Sequence, residues 1–237
     1  MDFQLIWESL PLLWQGTLIT LQLSVVTIVV STLVSIPLSI LRTDKRWYIY
    51  GPLEIFSQVF RGTPLMVQLF IVYYGLAQID FLRQSWAWVY LRQAYWCALI
   101  TFTLNTSAYL IHIFRGAIQA VPEGEIEAAH AFGLGAWARY RYVILPKAFL
   151  LALPSYGNEL IKTVKRTSLA SVITIADLTG VANMLVSRTF APYEIFLTAA
   201  AIYLVFAWAA NRAVHYMEHR LSHHMRPVTA SSAAIEP

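Results

Sequence analysis

Charge is scarce in this sequence. Asp, Glu, Lys and Arg make up only 13% of its 237 residues, about half the share carried by a soluble globular domain, which excludes a fold wrapped in a charged, water-facing shell. Cysteine is nearly absent. The single Cys97 permits no intrachain disulfide, and with no second thiol or His/Cys cluster around it a metal site is not expected either, so it is read as packing. No Lys or Arg precedes Arg42, while Asp2 and Glu8 are present; this does not fit the basic start of a cleaved signal peptide, and the first span is expected to stay as an anchor. No Walker-type phosphate loop occurs anywhere in the chain.

Apolar sequence fills the space that charge leaves. Hydrophobic residues reach 58%, and their long runs predict a polytopic membrane protein. Residues 2–15, with Trp7 and Trp14 two turns apart, read as a helix lying at the membrane interface. Spans are expected at about 16–41, 53–79, 94–114, 147–170 and 193–213. Pro37 is a candidate kink near the inner end of the first. In the second, Arg61, Gly62 and Pro64 interrupt the apolar run, and a charge at that depth must face protein or water. The third carries the polar cluster Asn105, Thr106 and Ser107. The fourth carries Ser155, Tyr156, Asn158 and Glu159 and ends on Lys162, Lys165 and Arg166. The weakly amphipathic stretch 167–188 is expected to be partly re-entrant or external, and the Ser/Ala end of the tail to be disordered.

The net charge of +4 reads as topology, not nucleic-acid binding. With the N-terminus outside, the inner loops hold ten cations: Arg42, Lys45, Arg46, Arg115, Arg139, Arg141, Lys147, Arg212, Arg220 and Arg226. The outer loops hold three, Arg83, Arg92 and Arg188, and the remaining four lie within spans. This asymmetry puts the C-terminus in the cytoplasm. It also puts there a polar island, residues 121–146, VPEGEIEAAHAFGLGAWARYRYVILP. Pro122 followed by Glu123, Glu125 and Glu127 suits a helix start. Ala128 and Ala129 form a surface without bulk, and Gly133 with Gly135 can turn the chain into a second short helix over 137–143. Spacing alone favours a surface-lying connector; the sharper reading is a docking element for a soluble partner.

The island resembles the EAA loop of permease subunits of binding-protein-dependent ABC importers: Glu127, Ala128, Ala129, Gly133, Ile144, Leu145 and Pro146 match its pattern at its spacing. The strings FRGTPLMVQLFIVYYG, LNTSAYLIHIFRGAIQAVPEGEIEAA, LPSYGNELI and KRTSLASVI are similar to the polar amino acid subfamily. Within it they are nearest the M-type permeases for histidine, lysine, arginine, ornithine and opines such as octopine. The resemblance spans nearly the whole chain. It implies an all-α, type I ABC importer permease fold, a single transmembrane permease domain over 1–237 with five transmembrane helices and cytoplasmic coupling helices. It also implies a multi-pass location in the bacterial inner membrane, with a periplasmic N-terminus.

From the resemblance, Glu127, Ala128, Ala129 and Gly133 form the coupling element seated in a cleft of an ATPase. The chain itself is then a transport subunit and not an enzyme. The expected partners are a second, similar permease making a heterodimer, two ATPase subunits that bind ATP and Mg, and an external solute-binding protein. No cofactor or metal is expected in this chain. Glu159 matches an acidic position facing the transported, polar and probably basic, amino acid, with Asn105, Thr106, Ser155 and Asn158 as hydrogen-bond partners. Glu159 in an ion pair with Lys162 or Arg61, and the Asn105 cluster as interhelix glue, are the structural readings that stand beside these. His112 stands where relatives commonly carry a glutamate, and packing is its simpler reading. The tail histidines His215, His219, His223 and His224 read as a solvated face. An integral-membrane enzyme lacks converging catalytic groups. An ATP-independent secondary transporter, with Glu159 and His112 as a proton relay, has no use for an EAA loop.

Overall fold

The computed structural model describes residues 2–43 and 46–222, and all regular structure among them is helical. Helix α1 runs from Phe3 to Leu41. Asp2 caps its start by accepting from the Gln4 and Leu5 backbone N–H groups, the expected use of an Asp at this position. Its 39 residues extend roughly 58 Å at 1.5 Å per residue, about twice the thickness of a hydrocarbon core. The interfacial helix expected over 2–15 is therefore not separate from the first span. A stripe of small, buried residues explains the continuity: Ser9, Gly16, Thr20, Ser24, Thr27, Ser31, Ser35 and Ser39 keep one face thin along the whole length. Small residues let helix backbones approach closely within a membrane.

Helix α2 (Trp47–Gly62) and helix α3 (Leu65–Phe70), the latter prolonged by a π-helical turn (Ile71–Gly75) and a 3-10 turn (Leu76–Gln78), meet at 104°. The second span expected over 53–79 is thus two helices. Pro64 has no N–H to donate and disfavours helical backbone at the preceding residue, and Thr63 is accordingly extended at φ −108° and ψ 145°. Two single-turn helices, α4 (Asp80–Arg83) and α5 (Trp88–Leu91), form the connector. Phe81 and Trp86 stand exposed there, as an aromatic interface belt does.

Helix α6 (Ala94–Gln119) is the central element, with buried positions along its length. Helix α7 (Glu123–Ala131) and helix α8 (Ala136–Arg139) follow. A π-helical turn (Tyr140–Ile144) then leads directly into helix α9 (Leu145–Arg166). The short helix expected over 137–143 is therefore continuous with the fourth span. Pro146 accounts for the wide turn, because its ring clashes with the carbonyl four residues back and it cannot donate to it.

Past Arg166 a 3-10 segment (Thr167–Ile173) bends into helix α10 (Leu178–Thr189), 48° away from α9. Stretch 167–188 is thus a packed elbow, with Thr167, Ala170, Ile173, Leu178, Val181 and Leu185 buried. Asp177 caps α10 through Gly180 N–H at 2.9 Å, and Thr20 of α1 accepts from Leu178 N–H at 3.0 Å. Helix α11 (Pro192–Ser222) closes the bundle. Among the described residues three helices, α1, α6 and α11, are long and apolar enough to cross a membrane alone, and the two bent pairs bring the number to as many as five. Cys97 is buried with Leu23, Leu69, Phe102 and Ile173 in one of the cores. Lys45, Arg226, His223, His224 and the Ser/Ala tail lie outside the described residues.

The closeness of α1 to the elbow depends on Gly16, where an added Cβ would lie 2.8 Å from the Asp177 carbonyl oxygen and 2.9 Å from a Val181 methyl. Gly16→Val is expected to destabilise the protein by about 1–3 kcal/mol, read as a lower melting temperature in detergent. Gly51→Ala, where a Cβ meets nothing within 4 Å, is expected not to lower it.

Candidate functional site

Helical spacing places Ser155, Glu159, Lys162 and Arg166 along one side of α9, and Asn158 beside them. Glu159 is 2% exposed, and a carboxylate so placed needs charged or hydrogen-bonding partners. Arg166 Nη1 donates to its Oε1 at 2.6 Å, and Lys162 Nζ lies 4.0 Å from its Oε2. The Arg166 guanidinium also lies 4.6 Å from the centre of the Tyr109 ring on α6. Arg61, from the last turn of α2, approaches the same ring at 5.5 Å. Two guanidinium groups therefore share one aromatic ring.

Ser155 and Asn158 are exposed next to Glu159, and His112 is exposed on α6 one turn past Tyr109. The structure thus gathers Glu159, Ser155 and Asn158 on one open strip. Asn105 and Thr106 do not join that strip: they lie on α6, as buried there as Glu159 is on α9. The Asn105 amide donates to the Phe60 carbonyl at 2.8 Å and to Gln68 Oε1 at 3.1 Å. Gln68 in turn donates to the Phe60 carbonyl at 2.9 Å, the Thr63 carbonyl at 3.1 Å and Thr63 Oγ1 at 2.6 Å. Asn105 is thereby a brace for the α2–α3 break, because carbonyls freed by a broken helix must be satisfied. Its amide nitrogen donates to two protein acceptors, which is the contact that the interhelix reading of Asn105 describes.

The polar island forms a second site. Pro122 precedes α7, Glu123 and Glu125 occupy its first turn, and Glu125 pairs with Lys147 of α9. Ala129 is buried, while Glu127, Ala128 and Gly133 are exposed. Gly133 has φ +78°, a left-handed backbone that glycine adopts without steric cost. Leu134 N–H donates to the Ala129 carbonyl at 3.1 Å and Gly133 N–H to the His130 carbonyl at 2.9 Å, the hydrogen-bond pattern of a Schellman ending. Phe132, Trp137 and Tyr142 protrude around this turn. The inner side is fixed, with Ile126 packed on the core of Phe114, Ile118, Val121, Ile144 and Ala148. The result is a small-residue face held rigidly and open outward.

Sequence reasoning missed the charge cluster that joins the nearby helix ends. Arg42, 2% exposed, pairs with Glu54 of α2 and donates to Ser57 Oγ at 3.2 Å. Arg115 Nη1 lies 3.6 Å from the same Glu54 carboxylate. Both arginines had been read only as topology markers. The available signal was Glu54 itself, a lone carboxylate in an otherwise uncharged stretch from Trp47 to Phe60.

Residues 35–223 match the family described as binding-protein-dependent transport system inner membrane component. The chain is 44% identical over 213 residues to an octopine transport system permease protein of Rhizobium meliloti, covering 90% of this chain and 87% of that one. It is 37% identical over 224 residues to a histidine/lysine/arginine/ornithine transport system permease protein of Escherichia coli K12, covering 92% and 94% respectively. The crystal structure of an amino acid ABC transporter with histidines superposes with a TM-score of 0.82 at 32% identity, covering 93% of this chain and 99% of that one.

Glu54→Gln leaves buried Arg42 without its counter-charge. Removing one member of a buried pair costs about 3–5 kcal/mol, and the partial exposure of Glu54 brings the expected loss to about 2 kcal/mol, measured as a lower melting temperature. Asp80→Asn, which opens the exposed 3.7 Å pair with Arg83, is expected to leave that temperature unchanged.

Proposed function

Because the chain belongs to the family of binding-protein-dependent transport system inner membrane components, we propose that it moves a polar amino acid or opine-like derivative into the cytoplasm, driven by ATP hydrolysis in a partner chain. It is a multi-pass inner-membrane permease of an ABC importer and a transport subunit. The relatives named for octopine and for histidine, lysine, arginine and ornithine support the cargo class.

The observation that carries this reading is the glycine-turned α7, closed on its membrane side and open on the other. Glu127, Ala128, Ala129 and Gly133 couple the chain to an ATPase: the alanines allow close approach, the Gly133 turn sets the direction of the chain, and the acidic start offers charge to basic partner residues. ATP and Mg are bound by two such ATPase subunits. A second permease faces the open strip of α9 as a heterodimer partner, and an external binding protein delivers cargo. The N-terminus is periplasmic and the C-terminus cytoplasmic, by the distribution of Lys and Arg.

Cargo passes along the strip of Glu159, Ser155 and Asn158, with Asn105 and Thr106 behind it holding α6 in place. Glu159 meets a cationic group of the cargo, in competition with Arg166. Exchange of ion-pair partners keeps this buried charge compensated while cargo moves. An ATP-independent carrier is not favoured, because it leaves the α7 turn without a role.

Two substitutions test the two sites in an importer reconstituted with its ATPase and binding protein. Gly133→Leu forces a side chain into a left-handed backbone at about 1–2 kcal/mol and is expected to lower ATP-driven uptake severalfold while the ATPase stays bound. Normal uptake with bound ATPase would remove the coupling role. Glu159→Gln is expected to weaken uptake of cationic amino acids more than it weakens assembly; unchanged uptake kinetics would rule out cargo contact.

A further inference from the structure

Of the three helices that can each cross a membrane alone, α11 is the least enclosed: 11% of its most apolar stretch is buried, against 33% in α1 and 67% in α6. It carries no charge from Ile195 to Asn211, a run of roughly 26 Å that nearly matches a hydrocarbon core. Polar residues begin at Arg212. Val214 is buried and packs against Gly157 of α9, so the other side of the helix, with Arg212, His215, Tyr216 and His219, points away from the bundle. Those four residues are exposed and line a recess of about 320 Å³, and the Arg220 guanidinium lies 5.3 Å from the centre of the Tyr216 ring. On the same face, one and two turns back from Arg212, Trp208 and Val205 are exposed too. One outward stripe therefore changes from apolar to basic where the helix leaves the hydrocarbon.

We infer that this stripe binds an anionic phospholipid, with an acyl chain along Val205 and Trp208 and the phosphate at Arg212. The inference goes beyond the transport reading and does not depend on it. The length fits, because Arg212 to His219 spans roughly 10 Å along the helix, comparable with the headgroup layer of one leaflet. The chemistry fits as well: a guanidinium presents a planar fork to two phosphate oxygens, and an interfacial tyrosine rests at headgroup depth. Charge selects the headgroup. From Asn211 to Arg226 the sequence holds three arginines and four histidines against one carboxylate, Glu218, which favours a phosphate that carries no cation of its own. A second copy docked through the same face would set arginine against arginine, a repulsive arrangement, so a lipid suits this surface and a like subunit does not. By the distribution of Lys and Arg the lipid belongs to the cytoplasmic leaflet.

The test titrates the purified permease–ATPase complex in detergent with phosphatidylglycerol or phosphatidylcholine and measures bound lipid by native mass spectrometry. Both probes carry a phosphate, and only phosphatidylcholine offsets it with a quaternary ammonium. The unaltered complex is expected to bind phosphatidylglycerol about fivefold or more tightly than phosphatidylcholine. Arg212→Gln is expected to lower that preference about fivefold, and Arg212→Lys, which keeps the charge, to retain most of it. Arg188→Gln, which removes an exposed cation from α10, is expected to leave it unchanged. Equal affinity for the two lipids in the unaltered complex overturns the inference. So does an equal drop from Arg212→Gln and Arg188→Gln, which reduces the effect to overall charge. Displacement of bound phosphatidylglycerol by glycerol 3-phosphate at the same concentration also overturns it and assigns the recess to a soluble phosphate ester. Loss of the second permease from the Arg212→Gln complex with the lipid preference intact overturns it too and assigns the face to a subunit contact. Failure of the transport reading has a different signature, namely no ATP-driven uptake by the complete importer while the lipid preference stays measurable.

Discussion

A hydrocarbon interior offers no water to a broken helix, so each interruption must be closed by groups from neighbouring helices. Both bent helix pairs among the described residues obey that constraint. At the α2–α3 turn, Gln68 and Asn105 satisfy the carbonyls of Phe60 and Thr63. At the α9–α10 elbow, Asp177 and Thr20 satisfy the first N–H groups of α10. One brace comes from α6 and the other from α1. The long unbroken helices are thus what allow the bent ones to exist, and the side chains that bent helices expose, Arg61 above all, are placed by that arrangement.

Close packing supplies the other half. Ser31 and Ser35 of α1 donate to the backbone carbonyls of Thr103 and Ser107 on α6 at 3.2 and 3.3 Å. These contacts need hydroxyls on short side chains, which is why a face of serines and threonines occurs in a helix otherwise made of Leu, Val and Ile. Leucine on that face would hold α6 further off and carry Asn105 away from the break it closes.

Much of this was legible beforehand. The apolar runs located the long helices α1, α6 and α11, and Pro122, the acidic first turn and Gly133 located α7 and its end. Local chemistry decides those features, so a linear reading reaches them. Three others depend on distance in space. Pro64 marked an interruption, but a bend of 104° follows from how α3 packs and not from the proline alone. Trp7 and Trp14 suggested an interfacial helix, yet the buried stripe from Ser9 to Ser39 ties both segments into one. Glu159 was legible as a buried charge and its partner Arg166 lies two turns further along the same helix, whereas the Tyr109 ring that Arg166 shares with Arg61 required α2, α6 and α9 to be brought together. The Arg42–Glu54–Arg115 cluster was overlooked, although Glu54 signalled it, because each arginine had a sufficient explanation as a topology signal.

The π-helical turn at Tyr140–Ile144 joins the polar loop to α9 without an intervening linker. A linker would absorb displacement; a continuous helix transmits it. Helix α9 has 22 residues, a rod of roughly 33 Å at 1.5 Å per residue. Tilting such a rod by about 5° at its loop end moves its far end by roughly 3 Å, enough to exchange one hydrogen-bond partner for another. Arg166 stands at that far end. The wide turn thus ties the direction of α9 to that of the polar loop, with the Glu159–Arg166 pair at the far end of the same helix.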